Sequence, residues 1–319
     1  MTKVKTDQKQ ARPFLKWVGG KGRLLSQYSL LFPSSFNSYY EPFVGGGAVF
    51  FKLAPSKANI NDLSQVLVNA YSNLQSDVEN VIKVLSKLEK EYLTLNDDAR
   101  KEFYYEKRSA FNELHDGEFL KTALLIFLNR TCFNGLYREN SKGEFNVPIG
   151  KYKNPRICNS ETLRAVSDAL RSVEITCSDF IDAVKNAKRN DFIYFDPPYH
   201  PLNPTSNFTS YHENDFTSFD QERLRDTFNR LSEKGCYVML SNSNTPLIKE
   251  LYKEFNINIV YAGRAINSIA SKRGKIQELV ITNYEVGAAG LVTTSDLSIE
   301  LLPTVGVGNL SVIKGKVSK

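Results

Sequence analysis

Within four residues, Asp196-Pro197-Pro198-Tyr199 offers a carboxylate, a backbone carbonyl and an aromatic ring. Together these fit a planar base that carries an exocyclic amine. Such an amine is a poor nucleophile because its lone pair is delocalised into the ring. If Asp196 and the carbonyl of Pro197 each accept one N–H, the nitrogen moves toward sp³ and its lone pair is freed, while Tyr199 stacks on the base. This chemistry needs no covalent nucleophile, metal ion or histidine base. An isolated Asp-Pro-Pro-Tyr is as readily a plain turn after a strand, so its neighbours decide the reading.

Those neighbours are the elements of an α/β fold. Asp191-Phe192-Ile193-Tyr194-Phe195 has the length and aromatic content of a buried strand. Two prolines lack N–H groups and hold φ near −65°, so the strand must end there. In open α/β sheets the carboxyl edge of the strands is where ligands bind. Phe36 to Phe43 reads as an earlier strand, closing on Glu41-Pro42-Phe43-Val44-Gly45-Gly46-Gly47 before a helix at the apolar Ala48-Val49-Phe50-Phe51. Glycines in that loop let backbone approach a ligand closely, because no Cβ intervenes. Ala58 to Asp62 reads as the next strand, and Asp62 stands 15 residues beyond Gly47. That is near the spacing at which an acidic side chain meets a ribose in Rossmann-type folds. On these residues alone the pocket suits either a nicotinamide dinucleotide or an adenosyl cofactor.

The strand–helix alternation then stops. Leu63, Val66, Leu67, Ala70 and Leu74 recur at helical spacing, as do Val78, Val81, Ile82, Leu85 and Leu88, and Lys121 to Arg130 reads as a further helix. Arg130 to Arg156 carries six basic residues (Arg130, Arg138, Lys142, Lys151, Lys153, Arg156) against two acidic ones (Glu139, Glu144), which is +4 of the chain's net +6. Phe133, Tyr137, Phe145 and Tyr152 are interleaved with them, beside the amides of Asn134, Asn140 and Asn146. Charge for phosphates, amides for base edges and rings for unstacked bases make this stretch a nucleic-acid reader, with Lys151 and Lys153 suited to phosphates. A charge cluster without the rings and amides would be a solvated face.

The alternation resumes at Val173-Glu174-Ile175-Thr176-Cys177. Ser218 and Gln221 fit a capping box for a helix whose face carries Leu224, Phe228 and Leu231 and which Gly235 ends. Cys236 to Ser241 and Glu278 to Tyr284 read as later strands, and Val286 to Lys319 as an appended tail without recognisable chemistry.

Composition narrows the class. The chain has 319 residues, 41% hydrophobic and 24% charged, enough for two domains and neither disordered nor membranous. No run approaches the roughly 20 apolar residues of a membrane span, and the polar start, Met1 to Thr6, has no apolar segment of a secretory signal. Cys132, Cys158, Cys177 and Cys236 are scattered, and three histidines (His115, His200, His212) complete the soft ligands. Neither a zinc site nor a disulfide framework is indicated, so the expectation is a reduced, intracellular, metal-free protein.

The order of glycine loop, ribose-type Asp, basic insert and Asp-Pro-Pro-Tyr is joined by three further stretches. These are Phe14-Leu15-Lys16-Trp17-Val18-Gly19-Gly20-Lys21, Phe133-Asn134-Gly135-Leu136-Tyr137-Arg138 and Gly143-Glu144-Phe145-Asn146-Val147-Pro148. From about Pro13 to Glu285 the chain resembles the Dam-type (class alpha, D12) N6-adenine DNA methyltransferases, and among them the GATC-methylating enzymes of DpnII-type restriction–modification systems. The resemblance implies a Rossmann-like S-adenosylmethionine-dependent methyltransferase sheet from residues 1–62 and 160–286. It implies an inserted, mainly helical DNA-recognition domain at 63–159 and leaves 287–319 as a tail of unknown role. The implied reaction moves a methyl group from S-adenosylmethionine to N6 of an adenine flipped out of duplex DNA, in GATC.

Residue by residue, the resemblance gives catalysis to Asp196, Pro197 and Tyr199. It gives cofactor binding to Trp17, Lys21, Phe43, Gly45, Gly47, Asp62, Asp179, Phe180 and Asp196, with Lys21 meeting the methionine carboxylate, Asp62 the ribose hydroxyls and Asp179-Phe180 the adenine. DNA contacts fall on Lys16, Arg130, Phe133, Asn134, Leu136, Arg138, Pro148 and Tyr152. Arg138 suits guanine O6 and N7, Leu136 a thymine methyl, and Phe133-Asn134 the space a flipped base leaves. Cys132 stands where another small or apolar residue is expected. Double-stranded DNA is the implied partner, a cognate restriction endonuclease is allowed as a functional one, no membrane is involved, and a monomer in bacterial or phage-bearing cytoplasm is the default. RNA and protein-amide methyltransferases would share the Asp-Pro-Pro-Tyr and the cofactor. A nicotinamide oxidoreductase would share only the glycines and Asp62.

Overall fold

The computed structural model describes residues 10–202, 216–262, 276–286 and 300–301, so the tail read at 287–319 lies outside the described residues apart from Glu300 and Leu301. Strands β1 (Tyr39–Glu41), β2 (Ala58–Asn61), β3 (Val173–Thr176), β4 (Phe192–Phe195), β5 (Tyr237–Ser243), β6 (Asn256–Ala262), β7 (Ile276–Thr282) and β8 (Glu300–Leu301) form one sheet. Their order is β3-β2-β1-β4-β5-β7-β6-β8. The first five are mutually parallel, and β7 lies antiparallel between β5 and β6. The chain runs outward from β1 to β3 and then returns to place β4 against β1. That reversal opens a crevice at the carboxyl ends of β1 and β4, the place where doubly wound sheets bind ligands.

Crossovers between parallel strands cover both faces with helices, and β4 shows the consequence. Its four residues are all fully buried. Phe192 and Tyr194 join a core with Tyr28, Tyr39 and Tyr71, whereas Ile193 and Phe195 join another with Phe228 and Tyr252. The strand period of two thus feeds two cores at once.

The helices are α1 (Leu25–Tyr28), α2 (Ala48–Leu53), α3 (Gln65–Thr94), α4 (Asp97–Glu113), α5 (Phe119–Thr131), α6 (Ser160–Leu170), α7 (Phe180–Ala183), α8 (Ser218–Glu233) and α9 (Pro246–Leu251). Ser64 caps α3 by accepting from the Leu67 N–H. The helix breaks at Asp77 (φ −153°, ψ 76°), whose carboxylate then accepts from the Asn80 N–H to restart it. Of α5, residues Thr122 to Asn129 are all buried, the signature of a helix enclosed on every side. One continuous hydrophobic core runs from Phe14 and the sheet face through α3 and α5 to Phe145.

Several elements differ from the sequence reading. The strand expected over Phe36 to Phe43 is only Tyr39–Glu41, because Phe36 turns aside to pack its ring on Tyr39 and Phe192. Leu63 lies outside the helix face assigned to it and is 68% exposed. The capping box sits one residue earlier than Ser218 and Gln221: Thr217 Oγ1 accepts from the Asp220 N–H while Asp220 accepts from the Thr217 N–H. Gln221 is instead buried, donating to the Pro198 carbonyl and accepting from Asn242. Helix α4 falls within the insert expected to be mainly helical, and its start carries Asn96 as cap and Asp97 and Asp98 in the first turn, which favour a helix N-terminus.

Candidate functional site

The turns that leave β1, β2, β3 and β4 converge at the carboxyl edge of the sheet, and a buried amide ties three of them together. Asn61 donates through Nδ2 to the carbonyls of Pro42 (3.0 Å) and Ser178 (2.9 Å). Its Oδ1 accepts from Thr176 Oγ1 and from the N–H and hydroxyl of Ser178. The Phe43–Gly47 loop, Asp62 and Asp179-Phe180 therefore share one anchor. No periodicity marks Asn61 in the sequence, and it was not among the expected site residues.

Asp196 stands at the same edge, beyond the end of β4. Lys21 Nζ lies 2.8 Å from its Oδ1 and also donates to the Gly19 carbonyl at 2.7 Å. Ser241 Oγ donates to the same Oδ1 at 2.7 Å. Among the described residues, no donor reaches Asp196 Oδ2 or the Pro197 carbonyl. Burial pushes the Asp196 carboxyl above the usual carboxylate range, opposed by Lys21 and Ser241. The side chain keeps 18% exposure.

Tyr199 completes this corner. Its ring stands 4.7 Å from Lys21 Nζ in a cation–π contact, and its hydroxyl donates to Glu278 Oε2 on β7 at 2.7 Å. Burial raises the phenols of Tyr28, Tyr194 and Tyr199, which keeps all three as donors. The backbone beyond Tyr199 is held by Asn242, whose Oδ1 accepts from the His200 N–H at 3.0 Å. Below the site, Glu41 is buried and accepts from Tyr39 Oη at 2.8 Å; burial drives its carboxyl well above the usual range.

On the other side of the crevice, Asp62 accepts the Gly45 N–H on Oδ2 and the Ser64 N–H on Oδ1, each at 3.0 Å. Burial raises this carboxyl too, while those backbone donors oppose the shift. Gly45 and Gly47 hold φ of +47° and +70°, conformations that favour glycine. A Cβ on Gly45 would press on the Trp17 ring at 3.0 Å, and one on Gly47 would meet Tyr71 Oη at 2.7 Å. Phe43 and Phe180 pack their rings at 5.5 Å. Asp179 spends its carboxylate on the Ile181 N–H and on Arg223 Nη2, both at 2.9 Å.

The basic stretch forms an irregular arm whose tip is a narrow turn. Glu139 bridges Phe145 and Cys132 bridges Ile149, while Asn140 Oδ1 accepts from the N–H groups of Lys142 and Glu144. Helix α4 holds the arm. Asn112 exchanges two hydrogen bonds with the backbone of Phe145, and Tyr104 Oη donates to the Val147 carbonyl at 2.8 Å. Cys132 is buried, which accounts for a small residue at that position.

Of the expected DNA contacts, Phe133 is 52% and Leu136 37% exposed. Between them Asn134 takes a left-handed φ of 55°. Arg138 is exposed and donates from Nε to Asn146 Oδ1 at 2.7 Å. Pro148, Lys151 and Lys153 are exposed, and Tyr152 is half-buried. Lys16 Nζ sits 5.1 Å over the Tyr152 ring. Arg130 differs from these: it is half-buried and commits Nη2 to the Phe14 carbonyl at 2.7 Å.

Arm and sheet edge meet through two contacts absent from the expected site. Trp17 stacks on Tyr137 at 5.1 Å and 23°. Asn129, buried on α5, bonds both the N–H and the carbonyl of Lys16 and donates to the Gly135 carbonyl. The segment carrying Trp17 and Lys21 is thereby fixed to the base of the arm.

Residues 17–266 match the family described as D12 class N6 adenine-specific DNA methyltransferase. The chain is 46% identical over 281 residues to the Type II methyltransferase M1.LlaDCHI of Lactococcus lactis subsp. cremoris, spanning 86% of this chain and 95% of that one. It is 46% identical over 288 residues to the Type II methyltransferase M.MjaIII of Methanocaldococcus jannaschii, spanning 86% of this chain and 100% of that one. The DNA adenine methylase of Haemophilus influenzae is 36% identical over 270 residues, at 84% and 92% coverage.

Proposed function

The chain belongs to the D12 class of N6 adenine-specific DNA methyltransferases, and from that premise we propose that it methylates N6 of an adenine flipped out of duplex DNA. The methyl donor is S-adenosylmethionine, the target GATC, and the role restriction–modification or epigenetic marking. The observation that carries this reading is the pair of acceptors that no donor reaches among the described residues, Asp196 Oδ2 and the Pro197 carbonyl, in the same turn as Tyr199.

The residues of the crevice fit the cofactor. The Asp62 carboxylate accepts from the backbone of Gly45, Ser64 and Leu63, which still leaves lone pairs for ribose hydroxyls. Lys21 supplies a buried positive charge for a carboxylate, and Gly45 and Gly47 keep the loop free of side chains. Phe43 and Phe180 offer apolar surface to an adenine, with Trp17 forming the wall beside the loop. Asp179 reaches such an adenine only if Arg223 shares its carboxylate. When bound, S-adenosylmethionine supplies a methyl group on a positively charged sulfur.

The protein's own part is positioning and electrostatics. Asp196 Oδ2 accepts one N–H of the adenine amine and the Pro197 carbonyl the other, which turns the nitrogen lone pair away from the ring. As that nitrogen gains positive charge, the carboxylate stabilises it. Tyr199 holds the base by stacking, its hydroxyl tethered to Glu278. Flipping the base costs a few kcal/mol, and exposed Phe133 and Asn134 are suited to fill the gap.

We assign residues 63–159 to target recognition and 1–62 with 160–286 to catalysis. Arg138 and Leu136 read base edges, while Lys16, Lys151, Lys153 and Tyr152 track the backbone; Arg130 braces Phe14 and contributes charge. Among the described residues no helix is long and apolar enough to cross a membrane, in keeping with a cytoplasmic, DNA-associated enzyme. The test is radiolabelled methyl transfer to duplex DNA containing GATC, to each singly altered site, and to RNA and peptide. Label confined to adenine of the GATC duplex supports the reading; label on RNA or peptide, or indifference to the altered sites, contradicts it.

A further inference from the structure

Asp196 has two carboxylate oxygens, and the structure treats them unequally. Oδ1 receives both Lys21 Nζ at 2.8 Å and Ser241 Oγ at 2.7 Å, while Oδ2 has no donor among the described residues. Lys21 reaches the carboxylate on a flexible stem and could by itself serve either oxygen. Ser241 cannot, because it sits fully buried on β5, next to Leu240, which pairs with Phe195 of β4.

The hydroxyl of Ser241 is itself oriented. It holds one proton and has five polar neighbours: Asp196 Oδ1 at 2.7 Å, Tyr194 Oη at 2.9 Å, the Phe195 carbonyl at 3.4 Å, and the hydroxyls of Tyr28 and Tyr199. The charged acceptor at the shortest distance takes the proton, so Ser241 Oγ accepts from Tyr194. Tyr194 is fully buried with its phenol raised by burial, and it remains a donor. A relay therefore runs from Tyr194 through Ser241 to one oxygen of Asp196.

We propose that Ser241 is a positioning residue which, oriented by Tyr194, locks the Asp196 carboxylate so that Oδ2 alone faces the adenine amine. This rests on Asp196 being the amine acceptor. Without Ser241 the carboxylate can rotate and Lys21 can take either oxygen, so the amine meets a misaligned acceptor. Among the described residues, the other charged or titratable groups around the carboxylate are Lys21, Glu41, Tyr28, Tyr39, Tyr194, Tyr199 and Glu278. Of these, Lys21 stays on the carboxylate when Ser241 is removed. Ser241 hydrogen-bonds the ionised form, so its loss moves the Asp196 carboxyl further up, and the acid limb of kcat shifts to higher pH.

The experiment measures kcat, duplex KM and the pH profile of kcat for wild type, Ser241→Ala and Tyr194→Phe in the full chain. Ser241→Ala is expected to lower kcat by about ten- to hundredfold, the scale of one charge-assisted hydrogen bond. Duplex KM should stay within about threefold and the acid limb should move to higher pH. Tyr194→Phe should show the same signs at about two- to tenfold, and it decides the matter if Ser241→Ala does not fold. Unchanged kcat with an unmoved acid limb overturns the proposal, as does a loss carried wholly by KM. A wild type that transfers no methyl to duplex DNA would instead fail the functional reading beneath it.

Discussion

The sheet edge around Asp196 and the arm around Arg138 both present polar groups to a ligand, yet they are built in opposite ways. At the edge, Asp196, Tyr199, Asn61 and Asn242 are each held by partners from two or more elements or turns, and those partners are buried or half-buried. On the arm, Arg138, Lys151 and Lys153 are exposed, and among the described residues the Arg138 side chain is steadied by Asn146 alone, on the facing side of the same turn. Burial makes the edge a place where one lost hydrogen bond changes the protonation and aim of a reacting group. Exposure makes the arm a place where one lost charge changes how tightly, and at which salt, a polyanion binds. The proposed chemistry and the proposed recognition thus fall in regions with different physical sensitivities, and substitutions can separate them.

The largest separation should come from Asp196→Ala. Methyl transfer is expected to fall by at least about a hundredfold, because the amine loses one of its two acceptors. Duplex affinity and melting temperature should stay near wild type. Activity within about tenfold of wild type would break the assignment of chemistry to the edge. Next is Asp62→Ala, where losing a charged acceptor of ribose hydroxyls costs roughly 1.5–3 kcal/mol. Calorimetry should show the cofactor dissociation constant rising by about tenfold or more; an unchanged constant would detach Asp62 from the crevice's function.

On the arm, Arg138→Ala sharpens the comparison. It should weaken binding to the cognate duplex by about 1–3 kcal/mol and relax preference at one base pair, with the kcat of saturated enzyme little altered. A uniform loss across all sequences would make Arg138 a phosphate clamp. The smallest effect belongs to Lys151→Ala or Lys153→Ala. Either should weaken all duplexes alike and reduce the slope of log affinity against log salt by about 0.9. Salt titrations that superpose on wild type would return this face to plain solvation.

How much of this was legible in sequence follows the same divide. The two prolines after Phe195 announced the end of β4, and Asp62 stood near ribose spacing from the glycines, because backbone constraints of that kind are local. The arm's charge and rings were legible as composition. What holds each region was not. Asn61, Ser241 and Asn242 are polar residues at the ends of apolar strands, and only strand order shows which carboxyl ends they join. Helix α4 lies in the stretch expected to be helical, but its own face is not marked there because its buried residues are just Phe103, Tyr104 and Phe111 amid charge. Its grip on Phe145 through Asn112 therefore could not be foreseen. The capping box slipped by one residue because Ser218 and Gln221 mimic the Thr217 and Asp220 pattern, and only packing of Gln221 against Pro198 distinguishes them.

The central claim is that Asp196 directs methylation to adenine in GATC. It is tested most directly by expressing wild type and Asp196→Ala in a host free of adenine methylation and digesting its DNA with endonucleases of opposite sensitivity to methylated GATC. Wild-type DNA should resist the blocked enzyme and yield to the methyl-requiring one, and Asp196→Ala DNA should do the reverse. Protection that survives in Asp196→Ala, or GATC sites left unmodified by wild type, would contradict the account.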